Sequence, residues 1–552
     1  MSVPTTSAAS GVVRDAIDVR RLPWIRPLVG AYASDFASVA PLFAGNPAEP
    51  QAWRETIARV QRAPRDRQAL VAMLVRQLER RGAPADAHRA AETLLDPASV
   101  AVATGQQAGL FGGPLYTLMK AVTAIQLARR ITAEHGAPAV PVFWVDEEDH
   151  DWDEIRSAQL LDAGLVPRTV TLADVPGAGV RTISSLVLDD GIHDALGELE
   201  QLLAPCDSGG DVLAQLRQHY RPGVSMSTAF AGWIESLLGR HGLVVFQSAD
   251  AAAKPLVGDL FVRELEHPGR TTALALQGGA EMRRLGHEPQ VEPGDDSVAL
   301  FQVDENGRHA IKHRDGDYAI GDTRCPRQVL VEQARSSPQH FSPNVLLRPL
   351  VQDRLFPTVC YVGGPSELAY QAQLKRVYQE FGVELPLLYS RATATLLESS
   401  DLRFLNKNHL ALESLQGQDD LALNKLLESQ LPPSIERALE ESTRDIAARA
   451  AALKKDVSAL DPTLAGAVET TAAHMRQALD GLRHKIVHAA KRKDETLRRQ
   501  FERTRSLAFP GGHPQERSLN LTFALSRYGI NACDRLIESL PLDTGQHYLL
   551  TL

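Results

Sequence analysis

The chain has 552 residues but only four cysteines, Cys206, Cys325, Cys360 and Cys533. They are too few and too far apart for a disulfide framework or a CxxC zinc ribbon, so no structural zinc and a reducing compartment are expected. Nowhere does the sequence reach about 18 consecutive apolar residues, which predicts no membrane-spanning helix. Met1–Arg21 scatters Ser, Thr, Asp and Arg and has no apolar core of a secretory signal, so a cytoplasmic protein is expected. Positive charge is not in excess: Lys and Arg number 59 against 68 Asp and Glu, a net of −9, and the basic residues are dispersed. This argues against a nucleic acid or an anionic membrane as the main partner. Three short motifs are also missing: GxxxxGK[ST], GxGxxG and GxSxG, which removes the P-loop, the dinucleotide fingerprint and the nucleophile elbow.

What is present is an ordinary globular balance, 44% apolar and 23% charged, in a chain long enough to bury large cores. Trp53–Arg81 reads as helical, as do the first hundred residues in general. Val100–Thr104 is then a short apolar run stopped by Gly105, a glycine-rich turn follows, and Pro114 opens a helix through Leu118, Val122 and Ile125. Ala139–Val145 is a second apolar run. Strand, turn, helix and strand in this order predict a βαβ unit and a parallel sheet. Leu243–Phe246, Thr358–Val362 and Leu385–Tyr389 are further strand candidates, and Cys360 inside one of them reads as core.

The expected organisation is an α/β parallel-sheet core (1–159, 236–285 and 341–425) interrupted by insertions at 160–235 and 286–340. In the second insertion Val298–Val303 and His309–Lys312 flank the turn Glu305-Asn306-Gly307. From 426 to 508 apolar residues fall at Leu439, Ile446, Ala450, Leu453, Val457, Leu460 and Leu464, then at Met475, Leu479, Leu482, Ile486 and Ala489. After a first step of seven, the alternation of fours and threes is a coiled-coil seam, and Asp461-Pro462 between the two runs predicts an antiparallel helical hairpin. A protruding seam of this kind suits dimerisation. Residues 509–552 are expected to return to the core.

Three clusters could carry chemistry. In the glycine turn, Gly105, Gly109, Gly112 and Gly113 precede a helix, where backbone amides can hold an anion; close packing explains the same glycines equally well. Tyr116 and Lys120 share a face of that helix. In the second cluster, Glu148-Asp149-His150-Asp151 follows a strand, the usual place for a ligand in an open α/β sheet. Asp149, His150 and Asp151 could move protons, hold an amine or bind a divalent ion; an acidic loop capping a helix is the plain alternative. In the third, Arg348, Gln352 and Asp353 precede Tyr361, Gly363, Gly364, Glu367 and Tyr370, repeating the pattern of strand, glycine pair and helix, and Arg391 follows another strand. Arg348 suits a carboxylate.

Taken together, several segments resemble the bacillithiol biosynthesis cysteine-adding enzymes, the BshC family of cysteine ligases. They are Thr104–Lys120, Phe143-Trp144 with Glu148–Glu154, Gly286–Val291, Arg348–Asp353, Tyr361–Pro365 with Glu367 and Tyr370, and Phe509–Arg517, in the family's order over nearly the whole chain. The sequence departs from the family pattern at Asp146-Glu147, where a smaller or less acidic pair is expected, and at Gly511-Gly512-His513-Pro514, where an Asn-Gly turn is common. The resemblance implies a Rossmann-like core with two connecting insertions, a dimerising antiparallel coiled coil, and ligation of L-cysteine to glucosaminyl-malate as the last step of bacillithiol biosynthesis. It further implies a substrate site drawn from Gln106, Gln107, Tyr116, Trp144, Arg348, Gln352, Asp353, Tyr361, Glu367, Tyr370 and Arg391. Lys120, Asp149, His150 and Asp151 would be catalytic, and the glycines Gly105, Gly109, Gly112, Gly113, Gly363 and Gly364 would hold an anion or nucleotide. ATP or ADP with Mg2+ is the expected cofactor, although the HIGH and KMSKS signatures are absent. The competing expectations are a metal-dependent hydrolase or transferase built on Asp149-His150-Asp151, and a non-catalytic scaffold.

Overall fold

The computed structural model describes residues 12–203, 206–430, 433–493 and 495–552; of the Met1–Arg21 stretch, residues 1–11 lie outside it. The chain divides into two compact units, one running to Leu396 and resuming over Pro514–Leu552, the other spanning Leu397–His513.

The first unit is organised by five short apolar strands: β1 (Val100–Gln107), β2 (Ala139–Asp146), β3 (Val244–Gln247), β4 (Thr358–Gly363) and β5 (Leu387–Ser390). They form one parallel sheet in the order β5-β4-β1-β2-β3. Runs of this kind lack polar alternation because both faces are covered. On one face Val100 and Val102 pack with Leu127 and Ile131 of helix α1 (Leu115–His135) and with Trp53, Ile57 and Val60. On the other, Val140, Val142, Trp144, Val244 and Phe246 pack with Leu70, Leu74 and Phe261. Gly136, in the left-handed region at φ 66°, ends α1, and its N–H donates to the Thr132 carbonyl.

The strand order positions the site. From β1 the chain moves outward through β2 and β3, then returns to the opposite side of β1 as β4 and β5. The carboxyl ends of β1 and β4 therefore border the point where the winding reverses, the crevice in which open α/β sheets bind ligands.

Both insertions carry strands. Ser157–Leu161 pairs antiparallel with Pro167–Thr171. Ser297–Asp304 pairs antiparallel with Gly307–Arg314, with Asp304 opposite Gly307, inside a five-stranded antiparallel sheet. Gly307 sits at φ 141°, where a Cβ would come within 2.6 Å of the Val180 carbonyl oxygen, so the turn requires glycine.

Two expectations change. Trp53–Arg81 is not one helical stretch: Pro50–Arg62 and Arg67–Arg81 are separate helices, broken before Pro64 and restarted by Asp66, whose carboxylate accepts the Ala69 N–H at 2.9 Å. Nor is the beginning wholly helical, since Val12–Asp18 is a strand antiparallel to Gln546–Thr551, which also runs parallel to Thr393–Leu396. Its partners lie hundreds of residues away, beyond any local pattern. No helix among the described residues is long and apolar enough to cross a membrane.

In the second unit Pro433–Leu460 and Ala465–Lys493 pack as a hairpin around a short turn over Pro462–Leu464, where the Asp461 carboxylate accepts the Thr463 N–H at 2.9 Å. Arg483 reaches Glu436 at 3.2 Å across the pair, and Lys454 contacts Glu469. The seam is only half closed. Leu439, Ile446, Val457, Leu479 and Ile486 are partly covered, whereas Leu453, Leu460, Met475 and Leu482 are exposed.

Candidate active site

A cleft of about 620 Å³ lies at the carboxyl ends of β1, β2 and β4, and the antiparallel insertion contributes Phe301 and Arg308 to its wall. Of the residues expected at the site, it gathers Gly105, Gln106, Gln107, Tyr116, Lys120, Trp144, Asp149, Arg348, Tyr361, Gly364, Glu367, Tyr370 and Arg391. Gly109, Gly112, Gly113, His150, Asp151, Gln352, Asp353 and Gly363 do not line it.

Lys120 projects from α1 beneath the end of β1 and is buried. Its ammonium meets the Gly105 carbonyl at 2.9 Å, Gln106 Oε1 at 2.8 Å and Glu367 Oε2 at 2.6 Å, so its three donors are occupied. Burial lowers its pKa against the opposing pull of Glu367. Burial alone would raise Glu367, but the Lys120 charge, the Tyr361 hydroxyl at 2.5 Å and the Gly364 N–H at 2.7 Å hold it below the usual glutamate value. The pair locks the ends of β1 and β4 together in its charged form.

Arg391 is similarly closed. Its guanidinium donates to both oxygens of Glu516, at 2.8 and 2.7 Å, and both side chains are buried. Glu516 also accepts the Thr393 hydroxyl at 2.9 Å. Behind it the His547 ring lies between the Thr393 and Thr395 hydroxyls, each at 2.9 Å, and burial brings its pKa down to about 4. Arg391 therefore touches the cleft with its carboxylate fork already filled, contrary to the expectation that a ligand would fill it. The filling residue comes from the C-terminal segment.

Arg348 is the opposite case. It is also buried, at the start of a helix over Arg348–Leu355, yet among the described residues it makes no salt bridge. It donates to Tyr370 Oη at 3.0 Å and Gln352 Oε1 at 3.3 Å, and lies 5.9 Å from the Trp144 ring and 5.8 Å from the Tyr361 ring. A buried, uncompensated guanidinium is costly unless an anion arrives. Gln352 and Asp353, expected to touch substrate, stand behind it instead. Gln352 donates to Asp353 Oδ1 at 2.9 Å, and Tyr378 donates to Asp353 Oδ2 at 2.6 Å. Burial pushes Asp353 up to about 6.

The glycine turn does not cradle an anion. The N–H groups of Gly109, Gly112 and Gly113 donate to the carbonyls of Gln107, Gly109 and Leu110, and that of Leu115 to Leu519. Gly112, at φ 97°, has Leu521 Cδ2 2.5 Å from where a Cβ would sit, and Gly109 packs on Gly113. The turn is built for close packing, so its amides do not fit the phosphates of a nucleotide.

The acidic loop also divides. Asp149 accepts Arg308 Nη1 at 3.0 Å and Gln107 at 3.3 Å. His150 is partly exposed beside it, and Asp151 caps a helical turn over Trp152–Ile155, accepting the Glu154 N–H at 3.3 Å. His150 and Asp151 are thus outside the cleft that was to use them. Glu147 and Glu148 are buried structural acids, the first taking the Ala249 N–H at 2.9 Å and the second paired with Lys254. Among the described residues no three His, Cys, Asp or Glu side chains gather as a metal site, so the donor set for a metal hydrolase is not assembled at this loop.

Sequence reasoning missed Asp146 and Arg308, both in the cleft wall. The position of Asp146 was available, as the last residue of a strand beside Gln107 of β1. Arg308 carries no local signal: it comes from the insertion, stacks 3.7 Å over Phe301 and donates to Ser342 Oγ at 3.2 Å and the Pro343 carbonyl at 3.0 Å.

Comparison with known proteins gives matches over both units. Residues 15–392 match the family described as Bacillithiol biosynthesis BshC, N-terminal Rossmann-like domain, and residues 394–552 match its C-terminal coiled-coil domain. A protein of Salinibacter ruber is 34% identical over 94% of this chain and 95% of its own length. One of Symbiobacterium thermophilum is 32% identical over 94% and 96%, and one of Koribacter versatilis 32% over 86% and 88%. Each of the three bears the name "Putative cysteine ligase BshC".

Proposed function

The chain belongs to the BshC family of bacillithiol biosynthesis, and from that premise we propose that it is the ligase that joins the carboxyl group of L-cysteine to the amine of glucosaminyl-malate in the last step of that pathway. The observation that carries the reading is the buried Arg348 guanidinium, unpaired among the described residues and facing the cleft between Trp144, Tyr361 and Tyr370. Planar and permanently charged, it suits a substrate carboxylate. Both proposed substrates supply one, and the malate moiety has two.

The other groups have narrower roles in this reading. Lys120 and Glu367 hold the cleft floor in shape, and Arg308 fixes Asp149 on the opposite wall. Condensing a carboxylate with an amine in water requires the carboxylate to be activated, and ATP with Mg2+ is the proposed source. We also propose a cytoplasmic location, and a homodimer through the hairpin because Leu453, Leu460, Met475 and Leu482 are exposed along it.

The test is incubation of the purified protein with L-cysteine, glucosaminyl-malate, ATP and magnesium, following bacillithiol by mass. Product that depends on all four is the expected result. Product without nucleotide would remove ATP from the scheme, and hydrolysis of glucosaminyl-malate in place of ligation would overturn the reading.

A further inference from the structure

One partly buried carboxylate of the cleft has no partner among the described residues. Asp146 ends β2 at the carboxyl edge of the sheet, in register with Gln107, and lines the cleft. Among the described residues its side chain makes no hydrogen bond and no salt bridge, in contrast to Glu367, held by Lys120, Tyr361 and Gly364, and to Asp149, held by Arg308 and Gln107. Arg348 and Arg308 influence it electrostatically without contacting it. A carboxylate in such a place is costly unless donors arrive from elsewhere. Arg348 has the matching deficit with the opposite sign. Among the described residues that line the cleft and are at least partly buried, Arg348 is thus a cation and Asp146 an anion without an ion pair, while Glu154 and Arg517 are exposed at its rim; the pattern is complementary to a ligand carrying both a carboxylate and an ammonium.

We propose that Asp146 receives the amine of the acceptor substrate, binding it as the ammonium and then taking one proton from it. The step is balanced: R–NH3+ and the Asp146 carboxylate become R–NH2 and the Asp146 carboxylic acid, leaving the nitrogen lone pair free to attack. Burial, which raises the Asp146 pKa, favours accepting that proton. Asp149 is a poorer base, since the Arg308 guanidinium and the His150 N–H at 2.8 Å occupy its Oδ1. The proposal deepens the ligase reading and rests on it for the identity of the acceptor. It adds a catalytic residue that the loop motif, Asp149-His150-Asp151, did not include.

The test separates the two claims. Glucosaminyl-malate and its N-acetylated form, which keeps the carboxylates but cannot carry an ammonium, are titrated calorimetrically into the full chain and into Asp146→Asn. The wild type should prefer the free amine by at least about tenfold, and Asp146→Asn should bind the two alike while retaining the wild-type melting temperature. Glu154→Gln, an exposed acid of the same cleft, should keep the preference. In the ligation assay Asp146→Asn should lose about 100-fold or more in turnover, with Asp146→Glu restoring part of it and the acid limb of the pH–rate profile. An amine preference that persists in Asp146→Asn, or is absent from the wild type, overturns the proposal. A wild type that prefers the amine yet forms no bacillithiol overturns the ligase reading and leaves the ammonium site standing.

Discussion

Arg348 and Arg391 are two arginines of one cleft, both buried, the first at the start of a helix and the second directly after β5, and a sequence-based reading gives them one role. The structure gives them opposite ones. Arg391 is closed by a bidentate carboxylate, Glu516, backed by Thr393 and His547. Among the described residues Arg348 is held by neutral groups, Tyr370 and Gln352, with two aromatic rings nearby. A buried charge paired within the protein contributes to the fold; one left unpaired is available to a ligand. The same distinction separates Glu367 from Asp146.

The comparison breaks most sharply at Glu516. Glu516→Ala leaves Arg391 buried and uncompensated and should cost about 3–5 kcal/mol in urea unfolding, whereas Arg391→Met combined with Glu516→Met should recover much of it. Arg348→Met should leave stability nearly unchanged, because it removes a buried charge that no carboxylate contacts among the described residues. A Glu516→Ala loss below about 1 kcal/mol would place that pair among inconsequential ones. Lys120→Met comes next, at about 2–4 kcal/mol, since it leaves the Glu367 charge buried; Lys120→Met with Glu367→Gln should be milder than the single change. Retained ligation in that double variant would assign the pair to structure, and lost ligation would assign Lys120 to the chemistry.

The glycines give a smaller contrast of the same kind. Gly112→Ala meets Leu521 at 2.5 Å and sits at φ 97°, so a loss of roughly 2 kcal/mol or more is expected. At Gly364 a Cβ would touch Glu367 Oε2 at an ordinary 3.4 Å. Gly364→Ala should therefore change stability by less than about 1 kcal/mol. Equal losses at the two positions would contradict the packing role assigned to the turn.

The smallest expected effect is a difference in pH dependence between the two sides. Asp353, behind Arg348, is raised from an ordinary 3.8 to about 6. Between those values the folded state keeps a proton that the unfolded state has lost, so this group's contribution to stability falls as pH rises through that window. His547, behind Glu516, is lowered from 6.5 to about 4. There the unfolded state holds the extra proton, and its contribution rises with pH through the window. Relative to wild type, Asp353→Asn should gain stability as pH rises from about 4 to 6 and His547→Gln should lose it. Chemical denaturation at a series of pH values reads both slopes, and slopes of the same sign would contradict the assignments.

Much of the fold was legible in the sequence because the five core strands are short apolar runs with both faces buried, and their period and stops are local properties. The hairpin followed from its spacing in the same way. The strand Val12–Asp18 was not legible, since its partner is Gln546–Thr551. The site was legible in its residue types and their approximate gathering, but not in its pairing. Whether Arg391 is free depends on Glu516, and whether Asp149 is free depends on Arg308, and no local spacing brings either partner into view. The glycine turn shows the same limit: its composition permits an anion cradle, but contact with Leu521 and the internal use of its amides make it a packing joint.

The central claim, that the unpaired arginine is the one that binds substrate, is tested most directly by titrating glucosaminyl-malate into wild-type protein and Arg348→Met at equal folded concentration. The account predicts a loss of about 2–5 kcal/mol in binding free energy at an unchanged melting temperature. Undiminished binding to Arg348→Met would contradict it.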